Sequence, residues 1–282
     1  MKKYIIAVII LSAIVYSYFY APKPVQLQDS SKLALHFIDV GQADSMLGIL
    51  PNGETFLIDA GNREDGNAII SYIKKQQIKK IDYLIATHPH EDHIGGLAEV
   101  INSFDIGSMY MPKVSSNTKT FENALLAIKN KGLKVTTARA GVSILNNDNL
   151  KIELLAPNSD YYENMNSYSA VTKITFGNTS FLLTGDADNI SEGEMFKYNL
   201  KADLLKVGHH GSSTSTSAEF LKAVAPKFAV ISVGKGNTYG HPAQKTLSTL
   251  KNAGVITYRT DINGTIVATS DGEKVALQLA CN

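Results

Sequence analysis

Thr87-His88-Pro89-His90-Glu91-Asp92-His93 follows the short apolar run Ile81–Ala86 and leads into Ile94-Gly95-Gly96. The run before it has the length and composition of a buried strand, and the stretch after it opens an apolar-periodic helix. Alternation lets His88 and His90 point two imidazoles the same way before the chain turns. Asp92 and His93 then add a carboxylate and a third imidazole from the turn. These groups suit divalent zinc, manganese or iron, and four of them so close together exceed what one ion needs. A polar loop capped by Asp92 at a helix N-terminus accounts for only one of the four.

The chain has 7 histidines, and three others lie in two further short motifs. His209 and His210 sit in Gly208-His209-His210-Gly211-Ser212, and His241 in Tyr239-Gly240-His241-Pro242. His36 lies inside an apolar strand and reads as a hydrogen-bonded core or edge residue. Asp186 ends the apolar run Ser180-Phe181-Leu182-Leu183-Thr184-Gly185. Two ions about 3.5–4 Å apart call for a bridging carboxylate, and Asp186 is the candidate. Asp59 ends Phe56-Leu57-Ile58 in the same way. It suits the role of accepting from a ligating imidazole and fixing its tautomer.

Composition sets the wider frame. The 282 residues are 44% hydrophobic and 19% charged, enough apolar material for a real core and unlike a disordered or collagen-like chain. A single cysteine, Cys281, excludes an internal disulfide framework and a Cys-based zinc site. The formal charge is +1, and residues 25–282 hold 24 basic against 26 acidic groups. That balance lacks the basic excess of a protein that grips duplex nucleic acid.

Lys2-Lys3 precedes an apolar run from Tyr4 to Tyr20, which marks residues 1–24 as a signal anchor or a cleaved signal peptide. Either reading sends the rest of the chain out of the cytoplasm, and the uncleaved anchor is favoured because the sequence around Ala21-Pro22 makes a poor cleavage site. Residues 25–32 read as a linker and 33–282 as the folded domain. Strand-like runs come first, at Leu33–Val40, Ser45–Leu50 and Thr55–Ile58. Helix-like Asn67–Gln76, strand Ile81–Ala86 and helices Ile94–Phe104 and Thr120–Lys131 follow. Strands are then expected at Lys134–Ala138, Lys151–Ala156, Val171–Phe176 and Ser180–Leu183. The last third alternates helices near Ile190–Tyr198, Ala218–Val224 and Ala243–Asn252 with strands Leu204–Val207 and Phe228–Val233. It closes on strands Val255–Arg259, Thr265–Thr269 and Lys274–Leu279. Strands followed by helices, twice over, predict an α/β fold of two face-to-face sheets with helices outside.

With these motifs in place, the sequence resembles the metallo-β-lactamase fold hydrolases, and within them the extracellular domain of ComEC-type competence proteins. Phe37-Ile38-Asp39-Val40-Gly41-Gln42-Ala43-Asp44-Ser45, the His88–His93 stretch, Leu183-Thr184-Gly185-Asp186, Gly208-His209-His210-Gly211-Ser212 and Tyr239-Gly240-His241-Pro242 carry the likeness. It implies a four-layer αββα sandwich and two divalent ions, manganese or zinc. His88 and His90 would sit on one ion, Asp92 and His93 on the other, with Asp186 bridging. The resemblance favours His210 as a further ligand and His209 as a group touching substrate or another ligand; periodicity alone does not separate adjacent residues. His241 is implied as a ligand or as the group that stabilises the leaving oxygen. Residues 94–185 contain no histidine, where many members of the superfamily supply one. Asn166 and Ser169, in Asn166-Ser167-Tyr168-Ser169, stand there instead as weak ligands or substrate contacts, and Asp44 borders the site.

Two cations bridged by a hydroxide supply a nucleophile at neutral pH and neutralise charge on the attacked group. The expected function is therefore an outward-facing, metal-dependent phosphodiesterase, a nuclease on single-stranded DNA or DNA ends, with Lys206 and Lys235 helping to attract phosphate. A hydrolase of cell-wall phosphodiesters or choline-phosphate esters would share every motif. A non-catalytic DNA-binding module is the reading from a different class.

Overall fold

The computed structural model describes residues 31–280. The apolar run 4–20, most of the linker and Cys281 lie outside the described residues. Among the described residues no helix is long and apolar enough to cross a membrane.

Two sheets form the centre. The first has eight strands: β1 (Leu33–Phe37), β2 (Met46–Ile49), β3 (Thr55–Ile58), β4 (Lys80–Ile85), β5 (Asp105–Met111), β6 (Val135–Thr137), β14 (Ile266–Ser270) and β15 (Val275–Leu279). They run in the order β15-β14-β1-β2-β3-β4-β5-β6. The second has seven: β7 (Ser143–Asn146), β8 (Leu150–Leu154), β9 (Thr172–Phe176), β10 (Thr179–Leu183), β11 (Leu204–Lys206), β12 (Phe228–Ile231) and β13 (Ile256–Arg259). Their order is β13-β12-β11-β10-β9-β8-β7.

Strand periodicity builds three cores from these sheets. Phe56 and Ile58 face the second sheet and join Phe37, Ile174, Phe181 and Leu183 in the central core. Leu57 between them faces the other way, onto a helical layer with Ile69, Ile73, Leu97 and Phe121. Leu182 likewise leaves Phe181 and Leu183 to pack against Phe220, Leu221 and Leu250. Successive side chains point to opposite faces of a strand, so strands covered on both faces read as continuous apolar runs. The four layers αββα follow.

Helices α1 (Gly66–Lys75), α2 (Glu91–Ile94), α3 (Leu97–Ser103) and α4 (Lys119–Asn130) flank the first sheet, with Ile69, Ile94, Leu97 and Phe121 in its outer core. Helices α5 (Asn189–Met195), α6 (Ala218–Val224) and α7 (Gln244–Asn252) flank the second, and α8 (Thr260–Asn263) follows β13. Where one helix is expected over Ile94–Phe104, the structure has α2 and α3, separated by Gly95-Gly96. A Cβ on Gly95 would lie 2.3 Å from the Arg63 backbone nitrogen, and one on Gly96 2.5 Å from the Ala60 carbonyl oxygen. The pair lets this segment press against the loop after β3. Strands β5 and β7 lie where the sequence pattern predicts none. β5 is buried only toward its end, and Gly107 near its start packs against the Asp82 backbone, so alternation is broken.

Strands β3, β4, β5 and β6 pair in parallel, as do β10, β11, β12 and β13. Parallel strands deliver their C-terminal ends to one edge, where ligands of α/β sheets collect. The segments carrying Asp59, His88–His93, Asp186, His209-His210 and His241 all leave those ends.

Candidate metal centre

The site is built on loop ends whose backbones are held in unusual conformations. Asp59, His209 and His210 all have positive φ, at 59°, 49° and 53°. Non-glycine residues rarely adopt this region, and where they do the surroundings enforce it. The consecutive left-handed turns at His209 and His210 send adjacent imidazoles to different places. His209 N–H donates to the Gly185 carbonyl at 3.1 Å, which ties this turn to the strand end bearing Asp186.

Asp186 lies at the centre. Its Oδ1 is 3.3 Å from His93 Nε2 and 3.7 Å from His210 Nε2. Its Oδ2 is 3.5 Å from His209 Nε2 and 3.9 Å from His88 Nε2. His88 Nε2 is in turn 2.9 Å from His90 Nδ1. Asp92 Oδ2 lies 3.1 Å from His210 Nε2 and 3.8 Å from His93 Nε2. Asp92, His93, Asp186 and His210 each offer one ligand atom within 4.8 Å of the others. One carboxylate thus faces two imidazole sets, one oxygen to each.

Polar partners outside this ring orient the imidazoles. Asp59, fully buried, accepts from Thr87 N–H at 2.8 Å, from the Thr87 hydroxyl at 2.7 Å and from His93 Nδ1–H at 2.8 Å. That bond directs His93 Nε2 into the site. The Ser232 carbonyl lies 3.0 Å from His210 Nδ1 and does the same for His210. Ser169 Oγ is 3.4 Å from His88 Nδ1 and accepts from Asp186 N–H at 3.1 Å. Asn166 Nδ2 is 3.3 Å from His209 Nδ1. Asn166 and Ser169 are buried and touch the rear nitrogens of His209 and His88. Asp44 is also buried, 2.7 Å from Lys206 Nζ and 3.7 Å from His210 Nδ1. None of these three lines the open cavity.

The electrostatics are those of a cation site. Burial opposes charge on His93, but the carboxylates of Asp186, Asp92 and Asp59 outweigh it and raise its pKa well above the ordinary histidine value. Burial likewise opposes the charge on Asp186, and His93 and His210 hold its pKa well below the ordinary carboxylate range. His88 and His209 are pushed down, chiefly by burial. His210 is raised: Asp186 and Asp92 outweigh its burial. His93 Nε2 and Asp186 Oδ1 are buried, face one another and have no hydrogen-bond partner. Native interiors seldom leave such atoms unsatisfied, and a divalent cation would satisfy both. The donor set of imidazoles and carboxylates without sulfur suits divalent manganese, iron or zinc alike. The residues present fit the metal.

A cavity of about 310 Å³ opens over this centre, lined by His90, Asp92, Asp186, His209, His210 and His241 together with Gln42, Glu91 and Tyr239. Lys206 corrects the sequence reading. It was expected to attract phosphate, but its side chain is fully buried and paired to Asp44, out of reach of any substrate. Tyr239 and Glu91 are cavity residues that sequence reasoning did not single out. Tyr239 stands beside His241 in the Tyr-Gly-His-Pro motif, and its polar surroundings are the signal that it would be exposed.

A two-sheet αββα sandwich with a histidine–aspartate cluster at one edge defines the metallo-beta-lactamase fold with a candidate metal centre. The chain belongs to the metallo-beta-lactamase superfamily, whose family profile matches residues 38–235. It is ComEC-like within it. ComE operon protein 3 of Bacillus subtilis (strain 168) is 34% identical over 256 residues, covering 84% of this chain and 33% of that protein. Competence protein ComA of Neisseria gonorrhoeae is 28% identical over 232 residues, covering 81% and 31%. The chain thus spans about a third of the length of these relatives. Solved structures share the fold, among them these two. The metallo-beta-lactamase fold protein YhfI from Bacillus subtilis has a TM-score of 0.55 at 12% identity, covering 88% of this chain and 100% of that one. CmlA, a diiron beta-hydroxylase from Streptomyces venezuelae, has 0.55 at 16%, covering 84% and 54%.

Proposed function

We propose that the chain is an extracytoplasmic, metal-dependent phosphodiesterase that acts on DNA, as single strands or at ends. The observation that carries this is the division of Asp186 between two imidazole sets, Oδ1 toward His93 and His210, Oδ2 toward His88 and His209. Asp92, His93, Asp186 and His210 would hold one manganese or zinc ion; His88, His90 and Asp186 would hold the other. When bound, such a pair supplies Lewis acidity toward a phosphoryl oxygen and a nucleophile at neutral pH. Asp59 keeps the His93 Nδ1 proton in place so that Nε2 faces inward, and the Ser232 carbonyl does so for His210. His241 and His209 border the open side, where either imidazole can donate a hydrogen bond to the departing oxygen.

The names of the competence relatives support DNA as the substrate. Lys2-Lys3 before the apolar run supports residues 1–24 as a membrane anchor or signal peptide, 25–32 as a linker and 33–282 as the hydrolase domain outside the cytoplasm. The test is cleavage of single-stranded DNA beside a choline-phosphate ester, with manganese restored after chelation. Metal-dependent cleavage of DNA that Asp186→Ala abolishes is expected. Turnover of the choline-phosphate ester alone would reassign the substrate to a cell-wall phosphodiester. Binding of DNA without any turnover would make the chain a binding module.

A further inference from the structure

Three rings step outward from the metal centre. His210, buried, lies nearly parallel to His241, with centroids 6.5 Å apart and planes at 22°. His241 lies nearly parallel to Tyr239, at 5.9 Å and 23°. Tyr239 ends the series 72% exposed at the mouth of the cavity. The Tyr239 ring thus lies beside His241, offset from it, and is largely turned to solvent.

The loop that carries this ring is fixed. Asn237 Oδ1 accepts from Tyr239 N–H and from His241 N–H, both at 3.1 Å. Asn237 Nδ2 donates to the Gly234 and His241 carbonyls at 3.0 and 2.6 Å. Gln42 Oε1 accepts from Gly234 N–H at 3.1 Å, and Ala243 N–H donates to the Gly211 carbonyl at 2.9 Å. One amide side chain therefore clasps the loop on itself, and both of its ends are tied to neighbouring segments. The backbone beneath the ring is held in advance, so little main-chain order is lost when something stacks on it.

We infer that Tyr239 is the platform on which a nucleobase next to the scissile phosphate stacks; this rests on the phosphodiesterase reading above. The cavity lining holds no lysine or arginine, and Glu91 and Asp92 are part of it. Within the cavity, attraction to phosphate would come from the cations the centre would hold, with Lys235 exposed on the same loop as Tyr239. Further affinity for the strand would come from an uncharged surface. Tyr239 supplies it. Every base has a π-face, and stacking on an aromatic side chain contributes comparably for all of them. Bases in a duplex keep both faces covered by their neighbours, so the platform selects unpaired strands and frayed ends. A trimethylammonium group is gripped by a cage of several aromatic rings. Tyr239 is the one Tyr, Phe or Trp residue among those lining this cavity.

The experiment compares a single-stranded DNA oligonucleotide with the same strand made abasic around the cleavage position, using manganese-loaded full-length chain. The natural protein, Y239F and Y239A are assayed, and metal content is measured for each. Removing the bases should raise KM about tenfold or more for the natural protein and for Y239F, as loss of a stacked base does. Y239A should show that raised KM on both strands, with the loss falling on KM rather than kcat and with metal content unchanged. Equal KM values for base-bearing and abasic strands in the natural protein, or an unaltered KM in Y239A, would overturn the platform while leaving the phosphodiesterase standing. Failure of the natural protein to cut either strand would overturn both.

Discussion

Lys206 and Asp44 form an ion pair at 2.7 Å in which neither side chain is exposed. Lys206 Nζ also donates to the Val207 carbonyl at 3.1 Å. The pair sits directly behind His210, which lies 3.7 Å from the other Asp44 oxygen. A buried carboxylate stripped of its cation is costly, about 3–5 kcal/mol. Lys206→Met should therefore lower the thermal midpoint by about 10 °C, given roughly 2–4 °C per kcal/mol for a domain of this size. Circular dichroism melts read this directly. Lys206→Met combined with Asp44→Leu removes both charges and should recover much of the loss; a double variant as unstable as the sum of the singles would contradict the pairing.

Asp59 acts on the centre through His93. Asp59→Asn replaces the carboxylate that accepts the His93 Nδ1 proton, and it weakens both bonds to Thr87. Such changes behind a ligand typically cost about 10- to 100-fold in metal affinity. Calorimetric titration of the chelator-stripped variant with manganese should show that loss. An unchanged isotherm would mean that His93 is not oriented by Asp59.

His36 makes stability depend on pH. It is buried in β1, shares a hydrogen bond at 2.8 Å with the Tyr72 hydroxyl, and burial pushes its pKa down to about 4. The unfolded chain takes up this proton near pH 6.5, while the folded chain does so only near 4. The stabilising contribution is thus complete above about pH 6.5 and is lost as pH falls toward 4, about 3 kcal/mol in all. Urea unfolding at pH 7.5 and pH 5 should show this decline in the natural protein and a shallower one in His36→Gln. Equal declines in the two would place the acid sensitivity elsewhere.

The legible parts of the chain are those in which local pattern and tertiary role agree. Phe56-Leu57-Ile58 and Phe181-Leu182-Leu183 announce strands covered on both faces, and His88–His93 announces a metal loop by residue type and spacing alone. β5 is invisible to pattern because a close backbone approach at Gly107 breaks its alternation. The burial of Lys206 is hidden because its partner Asp44 is distant in sequence. Periodicity does not separate His209 from His210, since their directions depend on a left-handed backbone that the Gly185 carbonyl and other surrounding groups stabilise. Tyr239 gains meaning only once His241 and His210 line up behind it.

The proposed chemistry requires Asp186 to serve two cations at once. Manganese titration of the chelator-stripped full-length chain, followed by calorimetry and by electron paramagnetic resonance, measures this most directly. Two ions per chain with a spin-coupled signal are predicted, and Asp186→Ala should lose the coupling and at least one of the ions. Absence of saturable binding, or an Asp186→Ala protein with the same stoichiometry and the same spectrum, would contradict it.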